Sequence, residues 1–192
     1  MRIVLDTTLL VSGIFYIGKP WELLEKILRG EIGIIVSDEI LDEYEDVCLR
    51  DEFYEKGGID KDLVKFVLGE IEKIAARVKP KKSFEASKDP KDNKFLNVAV
   101  EGKVDYVLSS DEKHLLILKS FQGIPIIRVS EFLDELKKKE RLPDYIVFSS
   151  QKPERIFIIE SKAPKMKPEE MKRRFLSYLL SFSKRKEGKN KQ

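Results

Sequence analysis

The sequence predicts an α/β fold with a central parallel sheet, on three observations. Short β-branched runs without polar alternation recur along the chain, the pattern of strands buried on both faces. Amphipathic helical stretches separate them, and such alternation implies parallel pairing through right-handed crossovers. With 192 residues, the chain is long enough for one domain with a real core and an appendage, but short for two full domains.

The first strand is expected at RIVLD (2–6), where an acid, Asp6, closes an apolar run and a second apolar run, TTLLVSGI, follows. Further strands are expected at IGIIVS (32–37), VDYVLSS (104–110) and IPIIRVS (124–130). Between them PWELLEKILRG (20–30) reads as a helix, with Pro20 suited to its first position and Gly30 to its stop. SDEILDEYEDVCLR (37–50), KDLVKFVLGEIEKIAARV (61–78), DPKDNKFLNVAVEG (89–102) and SEFLDELKKKE (130–140) have the same periodicity. After Glu140 the character changes. DYIVFSS and RIFIIES flank QKPE as a β-hairpin would, and the next stretch spaces Met171, Phe175, Tyr178, Leu179 and Phe182 as an amphipathic helix. The last residues, KRKEGKNKQ, are expected to be disordered. A domain over 1–140 and a basic extension over 141–192 follow.

Charge supports that division. The net +3 hides an acidic body, 23 basic against 28 acidic residues through Glu140, and a tail with 14 against 6. A positive tail attracts anionic partners such as nucleic-acid phosphates. One cysteine, Cys48, excludes an internal disulfide framework or a thiolate metal cluster, and its place on an apolar helix face makes it a buried structural thiol. No apolar stretch approaches the roughly 20 residues that span a bilayer, and Asp6 interrupts the start where a secretory signal would be apolar. A cytoplasmic protein without membrane contact is expected.

In an open parallel sheet, chemistry gathers beyond the carboxyl ends of the strands. Asp6 ends the first strand and Asp111 follows the VDYVLSS strand, so both fall at that edge. An aspartate there also serves simply to cap the next turn. In the helix from Ser37, Ile40, Tyr44, Val47 and Cys48 form the apolar arc, and Glu43 stands at its border while its other acids point outward. In DPKDNKF, Asp89, Pro90 and Asp92 would make an aspartate version of a capping box, yet Asp92 also lies on the side of Phe95, Leu96 and Ala99. Four acids converging on one edge repel, and they ask for a cation. Their oxygens suit Mg²⁺ or Mn²⁺, and a single histidine and cysteine make zinc a poor fit. Phosphoryl or phosphodiester chemistry is the class that such an ion serves.

VLDTTLLVSGI, VSDEILDEYEDVC, DPKDNKFLNVAV and VDYVLSSDEKHLL resemble, in order and spacing, the four acidic motifs of PIN-domain ribonucleases, most closely the toxins of toxin–antitoxin pairs. The resemblance covers about residues 1–137. It implies a three-layer α/β/α sandwich, one or two Mg²⁺ or Mn²⁺ ions, and hydrolysis of single-stranded RNA. It also implies an antitoxin partner and a homodimer. Carried over, the family's acids fall on Asp6, Glu43, Asp92 and Asp111. Asp6, Asp92 and Asp111 would be the main metal ligands, and Glu43 would hold a second ion or orient water. Family members commonly have Asn where this chain has Thr8, and a Ser or Thr shortly before the fourth acid, here Ser109. Asp89 and Asn93 are candidates for supporting roles around the ligands.

A divalent-metal-dependent endoribonuclease is therefore the first reading. A PIN-fold protein that binds RNA or acts as a scaffold without cleaving it is the second, kept by Thr8 and the tail. Other enzyme classes lack their signatures. The chain has no phosphate-binding glycine loop, and DTT lacks the second aspartate of aspartate-nucleophile phosphatases. His114 has no Ser or Cys partner and reads as a surface or capping residue outside the site. Lys91, Lys94 and Lys113 could meet phosphates, though solvated charges are the commoner role. Lys172, Arg173 and Arg174 beside the tail's aromatic stripe are candidates for an RNA surface or an acidic partner, the stripe itself being better suited to packing.

Overall fold

The four β-branched runs become the four inner strands of a six-stranded sheet: β1 (Arg2–Leu5), β2 (Gly33–Val36), β4 (Tyr106–Leu108) and β6 (Ile124–Ile127). Two short strands, β3 (Ala76–Arg77) and β5 (Ser120–Phe121), edge it in the order β3-β2-β1-β4-β6-β5. The computed structural model describes residues 1–54 and 60–140, with the side chain of Glu140 left aside. The expected hairpin, helix and disordered end of the extension, together with Lys172, Arg173 and Arg174, lie outside the described residues.

All pairings are parallel except β5 with β6, which is antiparallel. The central parallel sheet expected from the sequence is present, and the antiparallel edge strand β5 makes the whole sheet mixed, mostly parallel. Gln122 and Gly123, both at positive φ, make the tight turn that returns the chain from β5 to β6. Ile3, Val4 and Leu5 pair with β4 on one side, and Ile3 also pairs with β2, so this stretch is buried without side-chain alternation.

Six helices are described: α1 (Thr7–Phe15), α2 (Lys19–Leu28), α3 (Asp38–Cys48), α4 (Lys61–Ile74), α5 (Asn93–Gly102) and α6 (Val129–Glu140). Strand order runs one way from β1 through β2 to β3 and the other way from β1 to β4. Right-handed crossovers consequently put α5 on the sheet face opposite α1 to α4, and α5 packs across β1, β2 and β4. On the other face α1 meets α2 and α3, and α2 meets α4 and α6. Sheet and two helical layers together make the expected sandwich.

Three boundaries differ from the sequence reading, each for a physical reason. α1 is an unanticipated helix, because Thr7, Leu9, Leu10, Val11, Gly13 and Ile14 are all buried and leave only the narrow Thr8 and Ser12 stripe to betray its period. α4 stops at Ile74 although the helical pattern runs on to Val78, since Ala76 and Arg77 pair with Ile35 and Val36. β6 ends at Ile127 and α6 begins at Val129, inside the run read as strand. Cys48 is fully buried and its thiol is pushed up to about 12 by that burial, as a structural thiol should be. Among the described residues no helix is long and apolar enough to cross a membrane.

Candidate metal centre

The sheet reverses direction between β1 and β4, so their carboxyl ends form a topological switch point, the crevice where open α/β sheets bind ligands. Asp6 leaves β1 there, and Ser109, Ser110 and Asp111 leave β4. The Asp6 N–H donates to the Leu108 carbonyl at 3.0 Å and ties the two ends together.

Asp6 is both the helix cap and the buried acid that the sequence left as alternatives. Its Oδ1 accepts from the Leu9 N–H at 2.6 Å and caps α1. Its Oδ2 accepts from the Ser109 hydroxyl and from the Ser110 N–H at 3.0 Å. At 4% exposure, burial raises its pKa above the ordinary 3.8; the three donors oppose that shift and the charge of Asp111 adds to it. Ser109, itself buried, accepts from the Asp111 N–H at 2.9 Å, so one hydroxyl links Asp6 to the Asp111 backbone.

Asp111 binds its own turn and the histidine three residues on. Oδ1 accepts from the N–H groups of Lys113 at 2.8 Å and His114 at 3.0 Å, and Oδ2 lies 2.8 Å from His114 Nδ1. Burial pushes its pKa up, but these contacts outweigh it and hold the carboxyl below the usual range. His114 Nδ1 is also 3.8 Å from Asp92 Oδ2. Ligand atoms of Asp89, Asp92 and His114 all lie within 4.8 Å of one another, close enough for these three to hold one metal ion. His114 therefore belongs to the acid cluster, a correction to its reading as a surface residue outside it. The spacing Asp-x-x-His in DEKH was the available signal, because an Asp at the head of such a turn meets the side chain three positions on.

The Asp92 side chain makes no helix-cap hydrogen bond and so is available at this position. Asp89 caps a 3-10 turn over Pro90–Asp92, accepting from the Lys91 N–H at 3.0 Å. The Asp89 N–H donates to Ser87 Oγ at 3.2 Å, not to Asp92, so the reciprocal half of the expected capping box is absent. Asp92 Oδ2 keeps a long contact of 3.4 Å from the Ser87 hydroxyl. Burial raises its pKa, Asp89 and Asp111 add to that, and His114 and Ser87 oppose it. Asn93 is buried and accepts from the N–H groups of Ala86 and Ser87, both at 2.9 Å, anchoring the strand of loop that carries Ser87.

Glu43 stands apart from the triad. One of its oxygens accepts from the Thr7 hydroxyl and the other pairs with the Lys94 ammonium. Lys94, with its side chain 12% exposed, is an ion-paired residue inside the site, a correction to its reading as a solvated charge; Lys91 and Lys113 are exposed as that reading requires. Thr8 is exposed, and its carbonyl accepts from Ser12 Oγ at 2.9 Å. The threonine that meets an acid is Thr7.

The donor set fits a divalent cation. Carboxylate oxygens suit Mg²⁺ or Mn²⁺, and the added imidazole nitrogen makes Mn²⁺ the better match of the two; burial first, and then the charges of Asp89 and Asp111, raise the pKa of Asp92.

An acid cluster at the switch point of a mostly parallel α/β sandwich can serve metal-assisted phosphoryl or hydrolytic chemistry. The PIN-domain family model matches residues 2–113, more than half of the sequence, and the chain belongs to the PIN-domain family, whose members are typically metal-dependent nucleases. It is 26% identical over 147 residues to the uncharacterized protein MJ1680 of Methanocaldococcus jannaschii, an alignment covering 72% of this chain and 93% of that protein. No solved structure gives a significant match.

Proposed function

We propose that the chain is a Mg²⁺- or Mn²⁺-dependent endoribonuclease that hydrolyses phosphodiester bonds of single-stranded RNA. The observation that carries this reading is the grouping of Asp89, Asp92 and His114 beside Asp111 at the switch point, in a chain of the PIN-domain family. Asp92, Asp89 and His114, with Asp111 adjoining, would hold the ion. Bound there, it supplies polarisation of phosphodiester oxygens and a more acidic attacking water.

The chain's own groups do the positioning. Ser109 and the N–H groups of Leu9 and Ser110 fix the Asp6 carboxylate in one orientation. Asp111, bonded through Oδ2 to His114 Nδ1, sets the plane of the imidazole, as carboxylate partners commonly do for ligating histidines. Asn93 holds Ser87, whose hydroxyl reaches Asp92. Basic residues of the tail, Lys172, Arg173 and Arg174, are proposed to meet RNA phosphates beyond the site, supported by the +8 charge of residues 141–192.

The test is cleavage of a labelled single-stranded RNA by chelator-stripped chain supplied with Mn²⁺ or Mg²⁺. Asp6→Asn and Asp92→Asn should each lower the rate by roughly 10–100-fold while circular dichroism stays native. Undiminished cleavage by a clean preparation of Asp92→Asn overturns the assignment. Salt-dependent RNA binding with no cleavage under either ion would make the chain a binding or scaffolding protein instead.

A further inference from the structure

Lys94 is a largely buried cation at the edge of an acid cluster that itself calls for a cation. It sits in the first turn of α5, two residues beyond Asp92, and pairs with Glu43 Oε2 while lying 3.8 Å from Glu39 Oε1. The second oxygen of Glu43 is taken by the Thr7 hydroxyl. Both oxygens of this carboxylate are thus engaged, one of them by a fixed positive charge. Asp89, Asp92 and Asp111 differ: among the described residues no lysine or arginine pairs with them, and His114 is the one basic side chain they meet. The acids of this edge therefore divide into Glu43, closely paired with a fixed ammonium, and three aspartates with no lysine or arginine partner among the described residues.

We infer that Lys94 stands in for a second divalent ion, so that the site takes one ion per chain and Glu43 is a positioning residue, not a ligand. The inference rests on the metal-site reading above and specifies its stoichiometry. An ion approaching Glu43 would have to displace an ammonium that is tethered to α5 and so loses no translational freedom on pairing. Once displaced, that ammonium would be an unpaired, largely desolvated charge beside a dication, which is doubly unfavourable. Removing the ammonium while leaving Glu43 charged opens the position to a second ion.

The experiment is a calorimetric titration of the metal-free full chain with Mn²⁺, with free Mn²⁺ followed in parallel by its electron paramagnetic resonance signal. One ion per chain is expected for the native protein and for Lys94→Arg. Two are expected for Lys94→Met, the second at least tenfold weaker, and one again for Lys94→Met combined with Glu43→Gln. That double variant, which removes both charges together, should keep the single-site affinity within about twofold of the native chain. Two ions in the native chain, one ion in a natively folded Lys94→Met, or a tenfold loss of affinity in the double variant each overturn the inference while leaving the metal site standing. If Lys94→Met does not fold, the native count and the affinity of the double variant decide the matter. No Mn²⁺ binding by the native chain overturns the metal-site reading and this inference together.

Discussion

Asp6 shows how one residue serves fold and site at once. It caps α1 through Oδ1 and presents Oδ2 to Ser109 and Ser110, yet burial holds its pKa above 3.8. In the metal-free chain the folded state accordingly takes up a proton at a pH where the unfolded state has not. Stability contributed through Asp6 rises as pH falls from neutral through the folded pKa, and the gain is complete below 3.8. Asp6→Asn keeps a good helix cap and removes this titration. Denaturant unfolding of both proteins, metal-free, at pH 7 and near pH 4 should show the stability of the variant relative to the native chain decreasing on acidification. A difference that is constant or grows would mean that the buried carboxylate is compensated in some other way. Asp111, held below the usual range by His114 and its own turn, contributes in the opposite sense and loses its contribution as pH falls through its folded pKa.

Among elements, α1 matters most to the site, since Asp6 heads it and Thr7, its first residue, holds Glu43. Its position depends on a close approach to α2. A Cβ at Gly13 would lie 2.9 Å from the Pro20 carbonyl oxygen and 3.3 Å from its carbon, both backbone atoms that cannot turn aside. Gly13→Ala should therefore push the two helices apart and destabilise the chain by about 1–3 kcal/mol, lowering the denaturant midpoint with the slope unchanged. An unchanged midpoint would show that α2 yields freely. The sequence announced α2, α3, α5 and α6 through their polar faces, whereas α1, buried on nearly every side, carried no such mark. β3 and β5, at two residues each, exist only because neighbouring strands accept them.

At the scale of the molecule, the reversal of strand order beside β1 gathers residues from opposite ends of the domain, with Ser109 and Asp6 in contact across 103 positions. Charge is distributed as unevenly: net −5 through Glu140 and +8 beyond it. If Lys172, Arg173 and Arg174 each neutralise one phosphate of single-stranded RNA, replacing all three with Gln in the full chain should lower the slope of log affinity against log salt by about 2, at about 0.7 per contact. Affinity should fall about equally for unrelated RNA sequences, because phosphate contacts carry no sequence information. An unchanged slope would remove the tail from the RNA surface.

Residue type and spacing alone carry the inner strands, five of the six described helices and the edge at which the acids meet, because strand burial and helical period are written locally. The positions of Asp6, Asp92, Asp111 and Ser109 in the fold were legible for the same reason, each lying at an element boundary that the pattern marks. Tertiary structure alone decided the pairing of charges. That Lys94 turns inward to Glu43, that Thr7 and not Thr8 meets an acid, and that His114 joins Asp89 and Asp92 all depend on distances between segments far apart in the chain. A lysine or histidine carries no periodic signal of which acid it will find, since that choice is made by the packing of α1, α3 and α5 around the switch point.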